Sequence, residues 1–182
     1  DTSQQSIYAI KDVLTNPSLG DARLNAACPL VKQDIVIQSA TTRSITANPV
    51  DWSTKCGWYI DLNPSGASPG ERVNLDVKLQ LGVLAVATNV PVSDVCVAGG
   101  VSWLYLLGYS NGSFVPTELT QTAGQYLGNS LAVGITTFGL PNGKVVTNAR
   151  LSDRDPKSVG NPSPPPGSGG GKRVSWRELY TR

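Results

Sequence analysis

Residues 71–90 read ERVNLDVKLQLGVLAVATNV. Val73, Leu75, Val77, Leu79 and Leu81 point one way, and Glu71, Asn74, Asp76 and Lys78 supply the polar positions around them. A period of two sustained over this length predicts a strand with its apolar side on a core. Only Gly82 separates it from the apolar run 83–90, so a second strand follows directly.

The pattern recurs outward from this stretch. Upstream, SIYAIKD (6–12) predicts a strand buried on both faces, and GWYIDL (57–62) one with Trp58, Ile60 and Leu62 on a common face. Between them DIVIQSATTRSI (34–45) offers one further strand. Downstream, VSWLYLLGYSNGSFV (101–115) holds a Ser-Asn-Gly turn between apolar runs, and SLAVGITTFGL, PNG and KVVTNARLSD (130–153) read as strand, turn, strand. No window has the period of a long amphipathic helix. Short Val-rich runs punctuated by 19 Gly and 13 Pro in 182 residues predict an all-β chain. A weak repeat at roughly 40–50 residues (strand, short turn, strand, longer loop, aromatic strand) favours four-stranded propeller blades over a sandwich.

Composition removes several function classes. Charged residues make up 15% and the net charge is +2, which argues against broad electrostatic capture of nucleic acid. With no histidine, neither a Ser-His-Asp nor a Cys-His site can be assembled, and a zinc site is hard to build. The most apolar stretch, 81–90, is far short of the ~20 residues that span a bilayer as a helix. Asp51, Asp61, Asp76, Asp94 and Asp153 are scattered, with no spacing that suggests a glycosidase pair.

The C-terminal region divides by composition. Residues 1–160 form the β region, 161–171 a Pro/Gly-rich linker and 172–182 (KRVSWRELYTR) a last patterned segment. As a strand, the last segment puts Val174 and Trp176 on one face. As a helix, it has a Ser175–Glu178 capping box. A helix this short is marginal without docking, which favours a strand that closes back onto an existing sheet, anchored by Trp176.

Several of these segments, taken together, resemble a known family. GWYIDL, then GERV, then VPVSDVCVAGGVSWLYLL, NGKVV and a closing KRVSWREL look like the C-terminal end of the PilY/PilC family of type IV pilus tip proteins. The resemblance implies part of a quinoprotein-like β-propeller, about two and a half blades of it, and no enzymatic activity. It implies roles in pilus assembly and surface adhesion, and an exported protein at the pilus tip, cell surface or outer membrane. Its partners would be the rest of the parent propeller, pilins or minor pilins, and a surface receptor, with no nucleic acid and no membrane span. The family's calcium loop of alternating Asp has no match here: Asp153 and Asp155 bring too few ligands, so no cofactor is expected in this segment and that site lies upstream. In blade topology Cys28 and Cys56 fall near one face and Cys96 on the other, which predicts a Cys28–Cys56 disulfide and an unpaired Cys96.

Trp58, Trp103 and Trp176 are the expected structural anchors. The loops PVSDVCVAGG (91–100) and TELTQTAGQYLGN (117–129) are the candidate contact surfaces, through Pro91, Ser93, Asp94, Gly99, Gly100, Gln121, Gln125 and Tyr126. A different class of function, a secreted glycan-binding or glycan-hydrolysing module with the tryptophans as a stacking platform, is the alternative. A purely structural closing segment is the third.

Overall fold

The structure is a computed structural model. It describes residues 2–12, 21–92, 99–115, 121–141 and 144–162. These carry twelve strands and a single 3-10 turn at Pro64–Gly66. The all-β expectation holds.

The strands form three sheets. The first contains β1 (Ser6–Ile10), β5 (Gly57–Asp61) and β2 (Leu30–Gln33), in the order β1-β5-β2. β1 runs antiparallel to β5, with Ile7 opposite Ile60, while β2 runs parallel to it, with Leu30 opposite Gly57. The central sheet has six strands: β3 (Ile35–Ile37), β4 (Thr42–Ile45), β9 (Gly124–Gly128), β8 (Gly100–Gly108), β7 (Val83–Pro91) and β6 (Lys78–Gln80). The third is a meander of β10 (Ala132–Gly139), β11 (Val145–Leu151) and β12 (Pro156–Gly160). Four-stranded blades are therefore not the local unit among the described residues. The β3–β4 hairpin joins β9 and extends the central sheet, giving strand counts of three, six and three.

Side-chain alternation on β7 and β8 explains the layering. Val83, Ala85 and Ala87 with Leu104 and Leu106 face one way and bury against Ala132, Ile135, Ala149, Leu151 and Val159 of the third sheet. Val86, Trp103, Tyr105 and Leu107 face the other way, against Trp58 and Ile60 of the first sheet. Both faces of the central sheet are thus covered, so its two long strands are apolar almost throughout.

Four strand expectations change. The alternating stretch 71–81 is not one strand: the chain bends at Leu75, and only Lys78–Gln80 is ladder-paired. Val73 packs into the core beside the first sheet and Leu75 into the core beside the third, so their shared period does not mean a shared face. DIVIQSATTRSI is two strands, because the Ser39 hydroxyl accepts the amides of Thr41 and Thr42 and turns the chain between β3 and β4. β1 is covered on one face only: Ile7 and Ala9 pack inward while Tyr8 and Ile10 are exposed. The strands β2 and β12 carry no clear alternation and escape sequence reading.

Two cysteines staple the first sheet. Cys28 and Cys56 form a disulfide just ahead of the paired starts of β2 and β5, with their Cα atoms 5.2 Å apart. Cys96 lies outside the described residues, as do the linker from residue 163 onward and the whole segment 172–182 with Trp176. Among the described residues no helix is long and apolar enough to cross a membrane.

Candidate functional site

The side chains that surround one open groove come from four strands and one loop. Arg43 stands on β4, Trp103 on β8 and Tyr126 on β9, while Pro64 and Pro69 come from the segment after β5. Val90 and Val101 complete an apolar wall, and the groove encloses about 340 Å³.

A buried polar network holds its floor. Glu71 is fully buried, at 0% exposure, and its Oε2 accepts Arg43 Nη1 at 2.7 Å. Its Oε1 accepts the Thr88 hydroxyl at 2.6 Å and the Tyr105 hydroxyl at 3.0 Å. Three donors on one carboxylate meet the demand that a buried charge be paired and hydrogen-bonded. Burial pushes the Tyr105 phenol far above its ordinary range, and the neighbouring Glu71 carboxylate pushes it further, so it stays a neutral donor. The Arg43 guanidinium then lies over Trp103, its Cζ 3.7 Å from the ring centroid. Tyr126 meets Trp103 edge-on at 5.4 Å, and its own hydroxyl is held by Asn129. Arg43, Trp103 and Tyr126 thus pack in series, and the saturated Glu71 carboxylate fixes Arg43.

Several expected contact residues gather around this groove. Tyr126 lines it, and Gln125 stands beside Tyr126, opposite Thr42. Pro91 and Gly100 are paired residues at the adjoining ends of β7 and β8, with Gly99 next to them. Gln121 is exposed and its carbonyl accepts the Ser44 hydroxyl. One correction follows: Pro91, Gly100, Gln125 and Tyr126 are strand residues, not loop residues, because β9 runs through the stretch that reads as a polar loop. Ser93 and Asp94 lie outside the described residues.

The three described tryptophans do not make a platform. Trp58 is buried in the core, and its indole donates to the Tyr109 carbonyl at 2.9 Å. Trp52 donates to the next carbonyl, that of Ser110, at 2.9 Å. Trp103 is only 6% exposed.

Sequence reasoning missed Arg43, Glu71, Pro64 and Pro69. Glu71 sits in a Gly-rich turn-like stretch, where a carboxylate reads as solvated, and no local signal announces its burial.

Nor do the carboxylates among the described residues form an acid–base pair. Asp61 is taken up by Arg23 Nη2 at 2.5 Å and the Ser6 hydroxyl at 2.7 Å. Asp51 binds Ser53 and Thr54 within its own turn, and Asp153 binds Ser130 and the Asp155 amide. Among the described residues no three His, Cys, Asp or Glu side chains converge as a metal site.

A groove on an all-β scaffold is common to many proteins, so relatives decide the family. A type IV pilus biogenesis factor PilY1 homolog of Xylella fastidiosa (strain Temecula1) is 31% identical over 159 residues, 83% of this chain. The chain belongs with the C-terminal region of the PilY1 proteins. The crystal structure of the Pseudomonas aeruginosa PilY1 C-terminal domain shares the fold: the TM-score is 0.64 at 20% identity, over 90% of this chain. The chain spans about a tenth (10%) of the Xylella PilY1 homolog and 38% of the Pseudomonas PilY1 domain. No family model matches the sequence.

Proposed function

We propose that this chain is the C-terminal β portion of a non-enzymatic type IV pilus protein that supports pilus assembly and surface adhesion. The observation that carries this reading is the 31% identity to a PilY1 homolog across 83% of the chain. In this reading the three stacked sheets are part of a longer propeller, residues 1–160 form its β region, and 161–171 tether a closing segment. The groove around Trp103 and Tyr126 is the contact surface, presented to a pilin, a minor pilin or a surface receptor. Its apolar walls and fixed aromatic set suit burial of a partner's apolar side chain. The Cys28–Cys56 disulfide supports an exported, cell-surface location, since such bonds persist in oxidising compartments.

The glycan reading has less support. Sugar stacking needs an open aromatic face, and Arg43 covers one face of Trp103 while only 6% of that residue is exposed.

The test is replacement of Tyr126 by Ser in the full-length protein of the bacterium that makes it. Surface pili, sheared and quantified, and cell attachment are the readouts. The expected result is full protein levels with attachment or piliation reduced several-fold. Normal piliation and attachment after deletion of the whole region would overturn the reading.

A further inference from the structure

Arg43 reaches the groove with part of its hydrogen-bonding capacity unspent. An arginine carries five N–H donors, and this side chain is only 8% exposed. Nη1 uses its pair on Glu71 Oε2 at 2.7 Å and the Tyr105 hydroxyl at 2.5 Å. Nε and Nη2 donate to no acceptor among the described residues. Buried polar atoms ordinarily find partners, and among the described residues the one fully buried side-chain nitrogen or oxygen without a partner is Asn161 Nδ2. Nε and Nη2 are therefore not sealed in the core. They open on the groove that Arg43 lines.

The rest of the lining matches that edge. No Asp or Glu stands among the described lining residues, and Pro64 and Pro69 bring no N–H. Ser68 Oγ accepts the Gly70 amide at 3.3 Å, which leaves its own O–H to donate. The Tyr126 hydroxyl is turned to Asn129. Val90 and Val101 are half-buried, so apolar surface stays open beside the guanidinium. The groove thus offers donors and apolar walls, and asks for an acceptor.

Guanidinium geometry selects among acceptors. Nε and Nη2 lie side by side on a planar fork, the edge that takes both oxygens of a carboxylate at once, whereas a carbonyl brings a single oxygen to the same pair. The cation is locked before a ligand arrives, because Glu71 and Tyr105 hold Nη1. Thr88 and Tyr105 also donate to Glu71, so its charge is shared and part of the Arg43 charge is left for a second anion. Depth selects the carrier. Arg43 is buried, while Ala67 and Pro69 stand exposed at the rim. A side chain reaches past that rim while its main chain crosses above.

We propose that the groove takes a polypeptide segment whose glutamate side chain is flanked by apolar residues. The carboxylate sits on the Nε–Nη2 edge of Arg43, and its apolar neighbours pack on Val90, Val101 and Tyr126. This names the chemistry of the partner and rests on the contact-surface reading of the same groove.

Two end-blocked tripeptides, acetyl-Leu-Glu-Leu-amide and acetyl-Leu-Gln-Leu-amide, test it by nuclear magnetic resonance titration of the isotope-labelled 182-residue chain at neutral pH. The Glu peptide is expected to shift the Arg43 Nε–H resonance and to bind about tenfold more tightly than the Gln peptide. Ala67→Trp, at an exposed rim position, is expected to block the groove and remove that shift. Arg43→Lys keeps the charge but not the fork, and is expected to bring the two peptides to equal affinity. Equal affinities in the wild type, or a Glu preference that survives both variants, overturn the proposal. So does N-acetyl-leucine binding more tightly than the Glu peptide, which would assign the edge to a chain end. None of these outcomes touches the contact-surface reading, which falls instead if pili and attachment stay normal after deletion of the region.

Discussion

Arg43 and Glu71, 28 residues apart in sequence, form an ion pair at 2.7 Å with side-chain exposures of 8% and 0%. The pair ties β4 to the turn that precedes β6, and through Tyr105 and Thr88 to β8 and β7. Glu71→Gln or Arg43→Met strands a buried partner and is expected to cost about 3–5 kcal/mol. The double replacement Arg43→Met/Glu71→Leu is expected to cost clearly less than the sum. Urea denaturation of the two singles and the double checks this. Additive losses would show that the residues act independently.

The Cys28–Cys56 disulfide closes a separation of 28 residues. Loop-closure entropy for that length corresponds to roughly 3.5 kcal/mol. Cys28→Ser with Cys56→Ser is expected to lower the unfolding free energy read from urea denaturation by that amount. The fully reduced wild type should match the double variant.

Gly112 lies against an aromatic ring. Its φ is +69°, and an added Cβ would meet the Trp58 indole at 2.4 Å. Gly112→Ala is expected to destabilise by about 2–4 kcal/mol, because the indole is fully buried and held by the Tyr109 carbonyl, so it cannot yield. A thermal melt with near-ultraviolet circular dichroism of the tryptophans reports it.

Acid sensitivity should trace to Asp61. Burial works against its charge, but hydrogen bonds from Ser6 and Arg23 outweigh that and hold its carboxyl below the ordinary 3.8. A depressed folded value means that stability is present above the unfolded pKa and is lost as pH falls below it, so the loss begins under about pH 4. Asp61→Asn is expected to flatten the stability curve in that acid window while lowering the neutral plateau. An unchanged acid limb would show that other carboxylates govern it.

Much of the fold was legible. Residues 57–61, 101–108 and 145–151 alternate or run apolar as their sheets require, and each lies in a strand. The stretch 71–81 misled because alternation records only which residues are apolar, not what covers them. Val73 and Leu75 go to two different cores, and the next three apolar residues reach none. β9 was hidden because Gly124 and Gly128 give its ends the look of a loop, while its pairing with β8 and β4 is long-range. For the groove, Trp103 and Tyr126 carried a visible aromatic signal. Arg43 and Glu71 did not, since a buried ion pair depends on partners from four separate segments.

The disulfide at the mouths of β2 and β5 has a mechanical consequence. Tension applied along the chain passes from Cys28 straight to Cys56 through sulfur, so the intervening peptide, including the β3–β4 hairpin, carries none of it. Traction that peels away β1 would leave that hairpin still seated beside β9. A tether under pull could therefore lengthen at its flanks while the wall that bears Arg43 keeps its shape.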